Sequence, residues 1–297
     1  MTASIEQIQS LLQGVTLETT PTSASKVEDF RHHVAEGTTV YVTFLPGSDF
    51  QDTLGVVKRL KAEGMHPVTH LAARSIANQD TLNDMLGALA DLEASEEVLI
   101  IGGGVDQPVG KFDASIQMLE TGLFQKHGVQ KIGVAGHPEG SPDISNTLIK
   151  EALLAKIAYG KEHDLKLYIA TQFCFEAAPI IEWHDMLRGW GSDIDIHIGL
   201  PGPATIKTLL RFAQISGIGN SMRFIKKQAA NVTKLLMQQA PDELIRDLAA
   251  YKVANPDSSI SHCHLYPFAG FSKTAAWLDT VQKGNIELKK KGFKLQD

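Results

Sequence analysis

"HPVTHLAARSIANQDTLNDMLGALADLEASEEVLIIGGG", residues 66–104, decides how this chain folds. It opens on a short β-branched run, His66–Leu71, and closes on another, Val98–Ile101. Between them Leu82–Leu92 spaces its apolar residues as an amphipathic helix does, near the length of a crossover. Strand, helix and strand in this order form a parallel β-α-β unit. The alternation continues on both sides. Strands are expected at Val15–Thr19, Thr39–Leu45, Lys131–Ala135, Lys166–Thr171, Asp195–Gly199 and Ser261–Tyr266, and helices at Phe50–Glu63, Ile144–Ala158 and Ile206–Ile215. Two further helical stretches, Ser221–Gln239 and Pro241–Asn255, stand before the last strand as an insertion.

Eight strands alternating with helices over 297 residues predict an α/β fold, a closed (β/α)8 TIM barrel with extra helices before its last strand. An open doubly wound sheet is the alternative. No composition shift, Pro/Ser linker or charge block divides the chain, so residues 1–297 are read as a single barrel domain. With 43% hydrophobic and 21% charged residues and a formal net charge of -6, nothing suggests a nucleic-acid or anionic-membrane partner. The N-terminal residues lack a basic segment followed by an apolar one, and no run reaches the length of a membrane span, so a cytoplasmic location is expected. Cys174 and Cys263 are too few for a disulfide framework and read as buried thiols.

The glycine-rich turn after the fourth strand, "IIGGGVDQPVGK" (residues 100–111), invites two nucleotide templates and fits neither. A dinucleotide fingerprint starting at Gly102 meets Gln107 where its third glycine belongs. A Walker-type loop ending at Lys111 needs a glycine at Val105 and a hydroxyl residue at Phe112.

Active sites of parallel barrels lie at the C-terminal ends of the strands, and polar residues gather there. They are Glu18, Thr43 beside Phe44, His70 with Arg74, Gly102–Gly104 with Asp106, His137 and Glu139, and Gln172. An amide at the end of a β-branched strand offers donors and an acceptor to whatever fills the mouth. Glu18 and Glu139 could form a glycosidase pair, but with 7% aromatic residues the mouth lacks the density of a sugar cleft. His262 and His264 share a strand face without an evident third ligand, so no metal is expected.

Taken in order, these segments resemble the methylenetetrahydrofolate reductase family of FAD-carrying barrels. "VTLETTP" (15–21), "VYVTF" (40–44), "VTHLAAR" (68–74), "KIGVAGHPEGSP" (131–142) and "IATQFCF" (169–175) are similar to that family's strand-end segments. The resemblance implies an oxidoreductase of one-carbon metabolism and methionine biosynthesis. NAD(P)H would reduce FAD, and FAD would pass hydride to 5,10-methylenetetrahydrofolate, giving 5-methyltetrahydrofolate, or the reverse. It implies Glu18 as general acid and Thr43, Phe44, His70, Gly102, Gly103, Gly104, Asp106, His137, Glu139 and Lys156 as FAD contacts. Gln172, with Asp106, would meet the folate. Lys161 rivals Lys156, and the partners expected are a folate, a nicotinamide nucleotide and a second copy of the chain. Departures from the family fall on the flavin and pterin side of the pocket that the resemblance implies: glycines replace its Arg-Gly-Asp after strand four, His137 its tyrosine, and Thr19 and Thr20 its first-strand aromatics. They keep a flavin-independent reductase using NADH directly in view. A barrel lyase or aldolase for a phosphorylated substrate and a non-catalytic folate or flavin binder are the other classes.

Overall fold

A computed structural model describes residues 2–142, 144–215, 235–268 and 270–296. The eight expected strands are present: β1 (Thr16–Thr19), β2 (Thr39–Val42), β3 (His66–Ala72), β4 (Glu97–Ile101), β5 (Lys131–Gly136), β6 (Lys166–Phe173), β7 (Ile196–Pro201) and, after the short strands β8 (Ala204–Thr205) and β9 (Gln238–Gln239), β10 (Ile260–Tyr266). They close as a parallel barrel in the order β1-β10-β7-β6-β5-β4-β3-β2. The pairing is in simple succession, Thr39 opposite His66 and Thr69 opposite Val98, for example. The chain is therefore a (β/α)8 barrel. No helix among the described residues is long and apolar enough to cross a membrane.

The helices form where the sequence caps them. In α3 (Phe50–Ala62) the Asp49 carboxylate accepts from the Gln51 amide at 2.9 Å. In α4 (Gln79–Asp91) Asn78 accepts from the Thr81 amide at 2.8 Å, and the helix buries the stripe Leu82, Met85, Leu86 and Leu89. The expected helix Ser221–Gln239 falls largely on residues 216–234, outside the described residues. Its last two residues are not helical: Gln238–Gln239 pair antiparallel with Ala204–Thr205. The second insertion helix is present as Asp242–Ala254. A C-terminal hairpin, Ile286–Leu288 with Phe293–Leu295, was not anticipated from the sequence.

By internal contacts the chain divides into two compact units. One comprises Glu18–Gly136 and Thr147–Ala170. Its core at the strand starts contains Tyr41, Val68, Leu99 and Tyr168. The two tyrosine hydroxyls are 2.6 Å apart, and the Lys131 ammonium lies 4.4 Å from the Tyr168 ring centroid. Glu97 sits 3.1 Å from Lys131 and 3.6 Å from His66. Burial raises the proton affinity of Glu97, but the His66 and Lys131 contacts outweigh it and hold the carboxyl near 2. Gly133 is required here, because a Cβ would lie 2.6 Å from Leu99 and 2.7 Å from Tyr168.

The other unit comprises residues 2–17, His137–Asn146 and Thr171 onward. The Thr16 hydroxyl and His264 Nδ1 are 2.7 Å apart across the β1–β10 pairing. Gly199 brings β7 against β6: its amide donates to the Thr171 hydroxyl at 2.8 Å, and a Cβ there would stand 2.5 Å from the Thr171 carbonyl.

Candidate active site

In the first unit the ends of β1 and β2 meet. The Thr43 amide donates to the Thr19 carbonyl at 2.8 Å, and the Thr43 hydroxyl donates to Glu18 Oε2 at 3.1 Å. Both side chains are half-buried, so the carboxyl is oriented without being sealed from solvent. Phe44, the next residue, is also half-buried. His70, on β3, is buried and packs edge-on against Tyr41 at 5.8 Å between ring centroids.

The loop after β4 is bound to the segment that follows β3. The Arg74 amide donates to the Gly102 carbonyl at 2.9 Å, and the Val109 amide donates to the Arg74 carbonyl at 2.8 Å. The Arg74 guanidinium donates from Nε to the Asp113 carbonyl at 3.0 Å and from Nη1 to the Val105 carbonyl at 3.4 Å. Its Nη2 reaches the Asp113 carboxylate at 3.1 Å. Gly103 adopts φ +98, where a side chain would strain the backbone. A Cβ on Gly110 would fall 1.7 Å from the Ala77 carbonyl oxygen, whereas Cβ atoms on Gly102 and Gly104 would meet open space. Asp106 is exposed on this loop.

Lys156 lies in α7 (Asn146–Glu162) and is buried in the helical layer. Its ammonium donates to the Ser115 hydroxyl at 3.4 Å, and burial lowers its pKa to about 8. Ser115 opens the short helix Ser115–Leu119 at the far end of the glycine loop. Lys161 is exposed.

In the second unit the strand ends carry His137, Glu139, Gln172 and Cys174. His137 and Glu139 flank Pro138 in a turn closed by the Gly140 amide on the His137 carbonyl at 3.1 Å. Glu139 lies beside the Cys174 thiol, and burial together with that carboxylate pushes the thiol's pKa well up, so Cys174 is not a nucleophile here. Gln172 is half-buried at the end of β6. Both cysteines are free and buried. Among the described residues, no group of three or more His, Cys, Asp or Glu side chains could hold a metal ion.

Sequence reasoning overlooked two features. One is the lacing of the β4 loop by Arg74, which pairs residues 39 positions apart. The other is an aromatic cluster at the ends of β6 and β10. Phe173 lies 5.4 Å from Tyr266 and 4.9 Å from Phe268, and Phe268 stacks on Phe212 at 4.5 Å. The overall aromatic content understated this local density. Phe268 holds φ +49, uncommon for a bulky side chain. Phe175, Pro201, Ile206, Leu209 and Gln239 help line a nearby cavity of about 130 Å3, which none of the residues singled out from sequence lines.

No protein-family model matches the chain. Over 144 residues, 46% of the chain, it is 31% identical to methylenetetrahydrofolate reductase 2 of Saccharomyces cerevisiae, and the match spans 22% of that protein's length. An uncharacterized protein from Clostridium thermocellum, which binds two copies of 5-methyl-5,6,7,8-tetrahydrofolic acid, superposes with a TM-score of 0.57 at 14% identity. The superposition covers 92% of this chain and 99% of that one, a likeness of fold.

Proposed function

From the chain's place as a divergent relative of the methylenetetrahydrofolate reductase family, we propose that it is an oxidoreductase acting on reduced folates. It would interconvert 5,10-methylenetetrahydrofolate and 5-methyltetrahydrofolate, with a nicotinamide nucleotide as the external hydride donor or acceptor. The observation that carries this reading is the Glu18 carboxyl at the end of β1, steered by the Thr43 hydroxyl at 3.1 Å.

Opening the five-membered ring of the substrate leaves an electron-rich nitrogen, and protonating it exposes an iminium carbon to hydride. Protonated Glu18 supplies that proton, and the Thr43 contact fixes which carboxyl oxygen faces the substrate. Gln172 presents an amide able to donate to and accept from the polar edge of a pterin. In the reverse direction Glu18 takes the proton back.

The glycine loop fits one part of FAD and not another. Open space at Gly102 and Gly104 suits the approach of a flat ring, and the Lys156 ammonium at the loop's far end meets a neutral hydroxyl, that of Ser115. What the loop lacks is an arginine of its own, glycines standing where the family has Arg-Gly-Asp. Thr43, Phe44, His70, Gly102–Gly104, Asp106, His137, Glu139 and Lys156 are the residues that would hold the flavin. When bound, FAD supplies the carrier that takes hydride from the nicotinamide and yields it to the folate carbon. The glycines that stand where the family has Arg-Gly-Asp favour a second reading, in which NADH delivers hydride to the folate directly.

Purified protein tests both. A yellow protein bleached anaerobically by NADH and reoxidised by methylenetetrahydrofolate supports the flavin route. A colourless protein that consumes NADH only with methylenetetrahydrofolate supports the direct one. If the protein neither binds folate nor consumes NADH, the folate reading is wrong.

A further inference from the structure

The strongest unassigned feature is the guanidinium of Arg74, because its partners differ in how firmly they hold it. Two of its contacts are to main-chain carbonyls, Nε to Asp113 and Nη1 to Val105, beside the backbone bonds that residue 74 makes with Gly102 and Val109. These fix the loop relative to the end of β3, as does the close approach of Gly110 to Ala77. The third is different. Nη2 contacts the Asp113 carboxylate at 3.1 Å, where the Arg74 side chain is 31% exposed and that of Asp113 is 66% exposed. An ion pair this wet is worth little and is readily exchanged. Lys111 stands exposed on the same loop, and a Cβ on Gly102 or Gly104 would meet open space.

We propose that Arg74 is the diphosphate-recognising residue of the nucleotide subsite, its Nη2 leaving the Asp113 carboxylate for the ligand's phosphate oxygens while Nε and Nη1 keep the glycine loop in place. A guanidinium can do both at once, since its five N–H donors are spread over three nitrogens and Nη2 can turn to a phosphate while Nε and Nη1 keep their carbonyls. Asp113 then acts as a stand-in anion that holds the side chain in its ready rotamer and lowers affinity by competing. This rests on the proposed folate oxidoreductase reading for the identity of the ligand, a nucleotide joined through a diphosphate. The same chemistry serves FAD and NADH.

The test is calorimetric binding of ADP, NADH, FAD and, as a phosphate-free control, riboflavin, with 5-methyltetrahydrofolate titrated in parallel. Arg74→Gln is expected to weaken ADP and whichever dinucleotide binds by roughly tenfold or more, the loss typical of one charge-assisted contact. Asp113→Asn is expected to tighten the same ligands by about threefold and to steepen the salt dependence of binding, because the subsite becomes one charge more positive. Riboflavin and methyltetrahydrofolate should bind every variant as they bind the parent. Comparing NADH with FAD identifies which dinucleotide uses the subsite. Arg74→Gln could loosen the loop, so amide exchange over residues 102–113 is measured as well. The Asp113→Asn result then decides, since a purely structural ion pair predicts weaker or unchanged binding when it is cut. Unchanged or weaker ADP binding in Asp113→Asn overturns the proposal, as does a parent protein that binds no diphosphate nucleotide. Loss of methyltetrahydrofolate binding by the parent would instead sink the folate reading.

Discussion

Replacing Lys156 with methionine should stabilise the protein at neutral pH, and the size of the effect follows from the burial of its ammonium. Lys156 is only 8% exposed, its ammonium donates to a neutral hydroxyl, that of Ser115, at 3.4 Å, and its pKa falls from 10.5 to about 8 because burial disfavours the charged form. The unfolded chain therefore binds more protons than the folded one between pH 8 and 10.5. Stability must rise with pH across that window, and below it the full penalty is present. A shift of this size corresponds to roughly 3 kcal/mol at pH 7, falling below about 1 kcal/mol at pH 10. Methionine keeps the length and apolar stem, removes the charge and sacrifices one long hydrogen bond to Ser115 worth about 0.5 kcal/mol. Lys156→Met should accordingly gain roughly 2 kcal/mol at pH 7 and almost nothing at pH 10. Urea unfolding of both proteins at the two pH values measures the difference. A variant that is less stable at pH 7, or shifted equally at both pH values, would refute the account of Lys156 as an uncompensated buried charge.

Three further perturbations probe the rim and the base. Glu18→Gln keeps the Thr43 contact but carries no transferable proton, so folate turnover should fall by roughly 10²- to 10⁴-fold while NADH and folate binding persist; equal loss of binding would make Glu18 structural. Gly110→Ala places a methyl against the Ala77 carbonyl and must displace the glycine loop, which faster amide exchange over residues 102–113 at nearly unchanged global stability would register. Glu97, held near 2 by His66 and Lys131 against the cost of burial, contributes stability that is complete above its unfolded value of 4.5 and is lost as pH falls toward 2. Glu97→Gln should remove that acid limb and cost roughly 2 kcal/mol at pH 7, and an unaltered acid-unfolding midpoint would count against it.

The strands were legible because each is a short β-branched run that must lie in a sheet buried on both faces, and the observed limits differ from the expected ones by at most a few residues. Local pattern failed where pairing partners are distant. Gln238–Gln239 continues a helical pattern in sequence, yet it forms a strand because Ala204–Thr205 lies beside it. Phe293–Leu295 is a different case, a short strand in a local hairpin with Ile286–Leu288 whose Lys-rich sequence carries no β-branched run. At the candidate site, Glu18 and Thr43 were each readable as strand-end polar residues, and the structure adds the hydrogen bond between them. Arg74 was visible as a charge beside a strand, but its partners at Val105 and Asp113 could not be inferred from spacing. The aromatic cluster was hidden for the same reason, its members coming from residues 173, 212, 266 and 268.

The contrast between strand starts and strand ends in the unit containing Glu18 explains why one set of polar groups reads as stability and the other as function. At the starts, Glu97, Lys131, His66, Tyr168 and Tyr41 form a closed set in which a carboxylate, an ammonium and two hydroxyls satisfy one another. Removing any member leaves a buried group without its partner, so that set can only be kept whole. At the ends the contacts are fewer and wetter. Glu18 is steered by Thr43 while remaining half-exposed, and Arg74 ends on an exposed aspartate. Groups held this way can change partners at little cost, which a bound substrate or nucleotide requires, and the firm main-chain bonds of Arg74 and Thr43 keep the backbone still while they do so.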